Sequence, residues 1–446
     1  MSVPAPSSDV LAQLRISALR VLADNDLGDA TKPSSTLYPH QWLWDSCFIA
    51  VGLRHVDPER ACREILSLFR GQWPNGMIPH VIFSGSGEYH AGPDRWRCDL
   101  VTTTPGRVQT TGVTQPPMIA EAVVRVGEML APARRREFYR AVYPGLVRYH
   151  SWLYSERDPD DTGLISLVHS WESGMDNTPT WMELTRRGAP IPLRLVRWFN
   201  GDGALDVLRR DTKEVPAGQR LSATDLFTLY HLVGELRDAR YDFGRIRTTR
   251  IPLVQDVAFN AILIRANHHL RDIAGGIGQD LPAHLDRAAR RTAAAFATLF
   301  DDGMYWSRDA RSGQLIRRPT IAGFLALYAG VVPAAGVTDL VARMTAPRFW
   351  PAHGIASVPT DDPSFQPRCY WQGPVWVNMN WLIADGLDRA GAAELAERLR
   401  ADTVNMIAGA GGLYEYYSPL DGAGVGSNHF SWTAALLIDL LEQRDA

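Results

Sequence analysis

The segment VLAQLRISALRVL at residues 10–22 decides the fold class, because Leu11, Leu14, Ile16, Leu19 and Leu22 gather near one face at helical spacing instead of alternating as a strand would. The same period recurs over 58–69, 116–130, 134–154, 223–236, 254–270, 281–299, 321–328, 337–344, 375–390, 392–407 and 431–441. About a dozen helices make an all-α protein and are the number that six α-hairpins need. Their starts are unevenly spaced, so no internal repeat fixes how they assemble. Taken alone, periodicity supports a mainly helical globular enzyme.

Chemistry belongs in the segments between those helices. WESGMDNTPTW at 171–181 sets Glu172, Asp176 and Asn177 between Trp171 and Trp181. Indole faces stack on the apolar faces of sugar rings, carboxylates accept hydrogen bonds from hydroxyls, and a carboxyl group kept protonated can act as a general acid. The competing reading of such a carboxylate is a helix cap or a paired ion. Glu415, in GGLYEYY at 411–417, is the natural partner: an acid flanked by tyrosines between glycine turns reads as a ligand-facing loop or strand edge. Two carboxylates on opposite sides of a sugar are what glycoside hydrolysis requires.

Two further tracts share this composition. YPHQWLWD at 38–45 supplies Tyr38, Trp42, Trp44 and Asp45, and YWQGPVWVNMNW at 370–381 supplies Tyr370, Trp371, Gln372, Trp376, Asn378 and Trp381. With Trp171, Trp181 and Trp432 they place eight of the fourteen tryptophans beside acidic or amide side chains. A common pocket explains that pairing, although any single indole could serve the core. Residues 71–116 and 186–220, rich in Gly and Pro, are candidate caps, and 351–367 is a third. The first carries His80, Tyr89, Arg95, Arg97, Arg107 and Gln115. His80 and His429 are candidate contacts to the sugar or its aglycone.

The ordered series YPHQWLWDSCF, NGMIPHVIF, TGVTQPP, WESGMDNTP, YWQGPVWVNMNW and LYEYYSP, over about residues 36–440, resembles glycoside hydrolase family 63 and its bacterial branch of mannosylglycerate and glucosylglycerate hydrolases. The resemblance implies an (α/α)6 toroid in one catalytic domain, with long loops forming a lid and pocket wall. It further implies inverting hydrolysis of an α-glycoside without metal or other cofactor. On this likeness Asp176 is the general acid, Glu415 the general base, and Asp45 a carboxylate that holds the innermost sugar. Thr180, Met182, Gln372 and the step Asn428, His429, Phe430 depart from the family pattern beside the aglycone, so reaction type is better defined than substrate. If the aglycone is glycerate, Arg95, Arg97 or Arg107 is expected to meet its carboxylate.

Composition bounds the rest. The 446 residues carry 46 basic and 49 acidic side chains, a net charge of −3 that gives no reason to expect nucleic acid or an anionic membrane as partner. Lys32 and Lys213 are the only lysines, which reads as codon bias. Cys47, Cys62, Cys98 and Cys369 lack metal-type spacing, and no apolar run is long enough to span a bilayer, so a cytoplasmic enzyme acting on a small intracellular glycoside is expected. DPDDTG at 158–163 opens like a calcium loop but places His169 where Glu is needed, and reads as a turn. His268 and His269 point to different sides of a helix and do not share a metal. Three alternatives stand beside the glycerate-glycoside hydrolase: an α-glucosidase acting on a neutral disaccharide, a sugar isomerase or epimerase on a similar toroid, and a noncatalytic carbohydrate-binding protein. The oligomeric state is not legible.

Overall fold

In a computed structural model the described residues are 6–84, 89–101, 104–106, 108–199, 201–206, 209 and 211–444. Fifteen helices carry the description: α1 (Ser8–Asp24), α2 (Leu43–Leu53), α3 (Pro58–Leu68), α4 (Ile119–Glu128), α5 (Pro132–Arg157), α6 (Pro179–Arg187), α7 (Ile191–Trp198), α8 (Ala223–Asp238), α9 (Val257–Gly276), α10 (Ala283–Phe296), α11 (Leu325–Ala329), α12 (Ala334–Met344), α13 (Val377–Arg389), α14 (Ala393–Ala410) and α15 (Ser431–Arg444). α2 packs on α4, α4 on α9, α9 on α11, α11 on α13, α13 on α15, and α15 back on α2. That closes a ring of six inner helices. Outer helices α1, α3, α5, α10, α12 and α14 alternate with them along the chain, which makes the fold an (α/α)6 toroid.

Closure dictates which residues each helix carries. An outer helix has one face on the ring and one in water, so it is amphipathic; an inner helix is covered all round. Every residue of α2 is buried, as is every residue of α15 from Ser431 to Leu441. Caps mark several boundaries. Asp57 accepts from Arg60 N at 2.9 Å with Pro58 in the first turn of α3, and Ser222 and Asp256 cap α8 and α9.

Strands are short and antiparallel, three pairs and one three-stranded sheet among the described residues, and two of the pairs fasten loops beside the pocket. Gln41–Trp42 pairs with Val81–Ile82, and Tyr416–Tyr417 pairs with Gly424–Val425. Val375 bridges to Tyr417, which ties the entry of α13 to the Glu415 segment. Residues 351–367 form turns without a helix, whereas 186–220 is more helical than its glycine and proline content suggests, because α6 runs to Arg187 and α7 follows. α7 packs on α8 and leaves Ile191, Leu195, Trp198 and Phe199 exposed. Asp158 makes the turn expected of it, accepting from Thr162 N at 2.7 Å and Gly163 N at 2.8 Å.

Candidate active site

At one end of the ring, segments distant in sequence converge on a pocket of about 60 Å³. That is room for a few waters. The strand Gln41–Trp42 runs straight into α2, which puts Trp44 and Asp45 in the first helical turn. Asp45 is buried, and burial, with the charges of Glu415 and Asp176, pushes its carboxyl well above the usual range.

Asp176 follows a single helical turn that Gly174 ends with φ of 72°. A side chain at Gly174 would meet the Trp44 ring, so glycine serves both the left-handed backbone and the close approach. Asn177 Oδ1 accepts from Trp371 N at 2.8 Å and fixes this loop to the turn carrying Tyr370. Tyr370, held at φ of 43°, donates from its hydroxyl to Asp176 Oδ2 at 3.1 Å. Burial pushes the Asp176 carboxyl up to about 7, with Glu415 adding to the rise and Tyr370 and Arg220 opposing it.

Glu415 is held differently. Its carboxylate accepts from Tyr38 Oη at 2.8 Å, from Ser427 N at 3.2 Å and from Arg220 Nη1 at 3.4 Å. Burial raises its pKa, while Arg220, Tyr38 and Ser427 favour the anion. Gly426 lies so close to Glu415 that a side chain there would strike the carboxylate. The Tyr38 and Tyr370 hydroxyls are 3.5 Å apart, so a relay of three links joins the two carboxylates. The three distances together keep the bonded oxygens of the two carboxylates no further apart than the ~9.5 Å upper end of the spacing of inverting glycosidases.

The walls are aromatic. Trp371 and Trp376 stack with centroids 3.8 Å apart, Trp432 stands edge-on to Trp44 at 5.4 Å, and Tyr89 is edge-on to Trp42 at 5.3 Å. Trp171 and His80 complete one side, and Gln115 Oε1 accepts from Trp44 N at 3.4 Å. Burial keeps His80 well below the usual histidine range, and its Nδ1 bonds Thr111. The indole nitrogens of Trp371 and Trp432 are buried without a hydrogen-bond partner among the described residues. Such donors suit sugar oxygens.

Four expected contacts lie elsewhere. Glu172 is spent on structure: Arg157 grips it at 2.7 and 3.0 Å, and Thr114 N and Val168 N donate to it. Gln372 is buried in the turn after Tyr370, where its side-chain oxygen accepts from Cys369 Sγ at 3.6 Å. Trp381 donates to Asp439 at 2.8 Å within the helical core. His429 is exposed, in a left-handed turn at φ of 54°; its backbone oxygen accepts from Asn25 and its backbone N–H donates to Asn428 Oδ1 at 2.7 Å.

The expected carboxylate clamps also move. Arg97 is exposed and paired with Asp99, Arg95 lies outside this pocket over Tyr230, and Arg107 falls outside the described residues. The guanidinium on the pocket lining is Arg220, buried beside Asp211, which lines the pocket with it. Sequence reading missed Arg220, Asp211 and His90. In a chain whose cations are almost all arginine, one more at the end of a loop carries no signal.

A water-excluding aromatic pocket on a closed α/α ring, with one carboxyl held protonated near neutrality and a second beside cationic and phenolic donors, defines a glycoside hydrolase. The chain belongs to the mannosylglycerate hydrolase MGH1-like glycoside hydrolase domain family, whose model matches residues 38–433. Mannosylglycerate hydrolase of Thermus thermophilus is 40% identical over 432 residues, covering 94% of this chain and 99% of that protein. Glucosylglycerate hydrolase of Mycolicibacterium hassiacum is 34% identical over 462 residues, covering 98% and 100%. A crystal structure of the GH63 mannosylglycerate hydrolase from Thermus thermophilus, in complex with Tris and D-glycerate, superposes with a TM-score of 0.85 at 40% identity, covering 96% of this chain and 99% of that one.

Proposed function

We propose that the protein is an inverting α-glycosidase acting on a small glycoside of glycerate, glucosylglycerate or mannosylglycerate, with Asp176 as acid and Glu415 as base. The observation that carries the reading is the contrast between the two carboxyl environments. Asp176, with a pKa near 7, can give its proton to the glycosidic oxygen as the bond breaks. Glu415, its anion favoured by Arg220, Tyr38 and Ser427, takes a proton from the water that attacks the opposite face. Asp45 and the free indole N–H groups of Trp371 and Trp432 would hold the sugar hydroxyls.

Arg220 favours an acidic aglycone over a neutral sugar. Its Nε is buried without a hydrogen bond among the described residues and faces Asp211 at 3.7 Å, so a glycerate carboxylate would compete with Asp211 for that donor. We read the chain as one catalytic domain with 71–116 and 186–220 as caps. A cytoplasmic setting fits four free buried cysteines and a small solute as substrate; no helix among the described residues is long and apolar enough to cross a membrane. The test is hydrolysis of glucosylglycerate, mannosylglycerate and neutral α-disaccharides, followed by proton NMR. First release of the β-anomer from a glycerate glycoside is expected. Release of the α-anomer overturns the mechanism, and equal rates on neutral disaccharides overturn the aglycone.

A further inference from the structure

Immediately outside the sugar pocket is a second cavity of about 430 Å³, which shares Tyr89, His90 and Leu226 with it. The two spaces thus meet across the wall that these residues form. Three guanidinium groups reach its lining, from Arg95, Arg209 and Arg237, against the single carboxylate of Asp94. Their commitments differ. Arg209 is held by Asp206 and Asp211 at 2.9 and 2.7 Å. Among the described residues Arg237 has only its exposed neighbour Asp238 as an ion-pair partner, at 3.6 Å. Arg95 has no ion pair among the described residues; its guanidinium lies 3.8 Å from the Tyr230 ring centroid, a stacking that orients the planar fork without using its hydrogens.

The wall between the cavities is neutral. His90 bonds the Tyr230 hydroxyl through Nδ1 at 2.7 Å. Burial lowers its pKa to about 4; Asp211 opposes the shift, and the charges of Arg220, Arg95 and Arg209 add to it. Arg220 on the inner side and Arg95 on the outer side thus both act on one uncharged residue between the two cavities.

We infer that the outer cavity is a second anion subsite, taking a hydroxy-acid aglycone that carries a phosphate ester or a second carboxylate beyond the group met by Arg220. Planar arginine forks bind both anions bidentately, and a phosphate engages two of them at once. Arg95 is the primary ligand and Arg237 the second. This rests on the reading of Arg220 as the clamp for the first carboxylate, so the experiment separates the two.

Binding of glycerate, 3-phosphoglycerate and malate is measured by calorimetry to the wild-type chain and to an Arg95→Gln, Arg237→Gln double variant, without reference to turnover. Wild type is expected to bind 3-phosphoglycerate at least about tenfold more tightly than glycerate, and the double variant to lose that preference. Malate distinguishes the sources: a gain with malate as large as that with the phosphate ester assigns the subsite to carboxylates. Equal affinity of wild type for all three, or a preference that survives in the double variant, overturns the subsite. If instead no glycerate glycoside is hydrolysed while the phosphate preference and its loss are seen, the glycerate reading fails and the subsite stands. With active enzyme, the ratio of kcat/KM for the 3-phosphoglycerate glycoside to that for the glycerate glycoside is expected to fall about tenfold in the double variant.

Discussion

In the proposed role of general acid, Asp176 would work by being a poor anion. Its usual pKa of 3.8 is raised to about 7 in the folded chain, so between those values the native state holds a proton that the unfolded chain has released. Stability conferred by that proton is present at low pH and declines as pH rises towards 7. Asp176→Asn removes the titration. It should raise Tm at pH 8, show no gain near pH 4, and lower kcat by about 10²–10⁴-fold; melting curves and turnover at the two pH values check this. In the wild-type enzyme kcat/KM should fall above about pH 7 as the acid loses its proton. Tyr370→Phe deletes a hydrogen bond that favours the Asp176 anion, so the alkaline limb should move upward in a pH–rate profile, and an unmoved limb would contradict the assignment. At this scale the sequence showed which residue types could do the chemistry but not their partners. Glu172 and Asp176 share one motif, four residues apart, yet one is neutralised by Arg157 and the other faces the pocket.

Helix α2 contains Trp44 and Asp45 and is the least legible element of the ring. Amphipathic period arises only where one face meets water, and α2 has no such face. Its sequence reads as an aromatic motif followed by an apolar run, whereas α1 and α3 on the outside announce themselves. The 370–381 tract shows the converse problem. Trp376 ends the loop and lines the pocket, while Trp381 lies five residues further along α13, about 140° round a helix of 100° per residue, and turns into the core. One composition therefore served two roles. The Glu172 pair belongs to this scale because it joins the end of α5 to the loops at Thr114 and Val168. Glu172→Gln leaves Arg157 buried and unpaired and should cost about 3–5 kcal/mol of stability. Denaturant unfolding decides between this and a direct catalytic role, which would lower kcat at unchanged stability.

Across the whole ring, buried ions hold inner helices in register. Glu121 on α4 accepts from Tyr328 of α11 at 2.7 Å, meets His269 of α9 at 2.5 Å and pairs with Arg125, which in turn reaches Asp385 of α13. Burial alone would raise the Glu121 pKa, but Arg125 and His269 more than offset it and hold the carboxyl well below its usual range. A depressed acid stabilises the fold above its unfolded pKa and is lost as pH falls through the folded value. Glu121→Gln should thus lower Tm at pH 7, with the deficit shrinking below about pH 4; a deficit independent of pH would mean packing alone is at stake.

Local pattern alone shows the helical class, because period 3.6 records burial on one side, and it singles out candidate reactive side chains, because acids flanked by indoles and phenols are costly to keep anywhere but a ligand pocket. Tertiary structure decided what depends on closure. Arg220 reaches the pocket only because residues 211 and 415 fold around it, His429 is lost to the surface by one left-handed turn, and the outer cavity exists only where the segments bearing Arg95, Arg209 and Arg237 meet. Those are relations between residues far apart in the chain, and local pattern carries no information about which distant charges a fold will bring together.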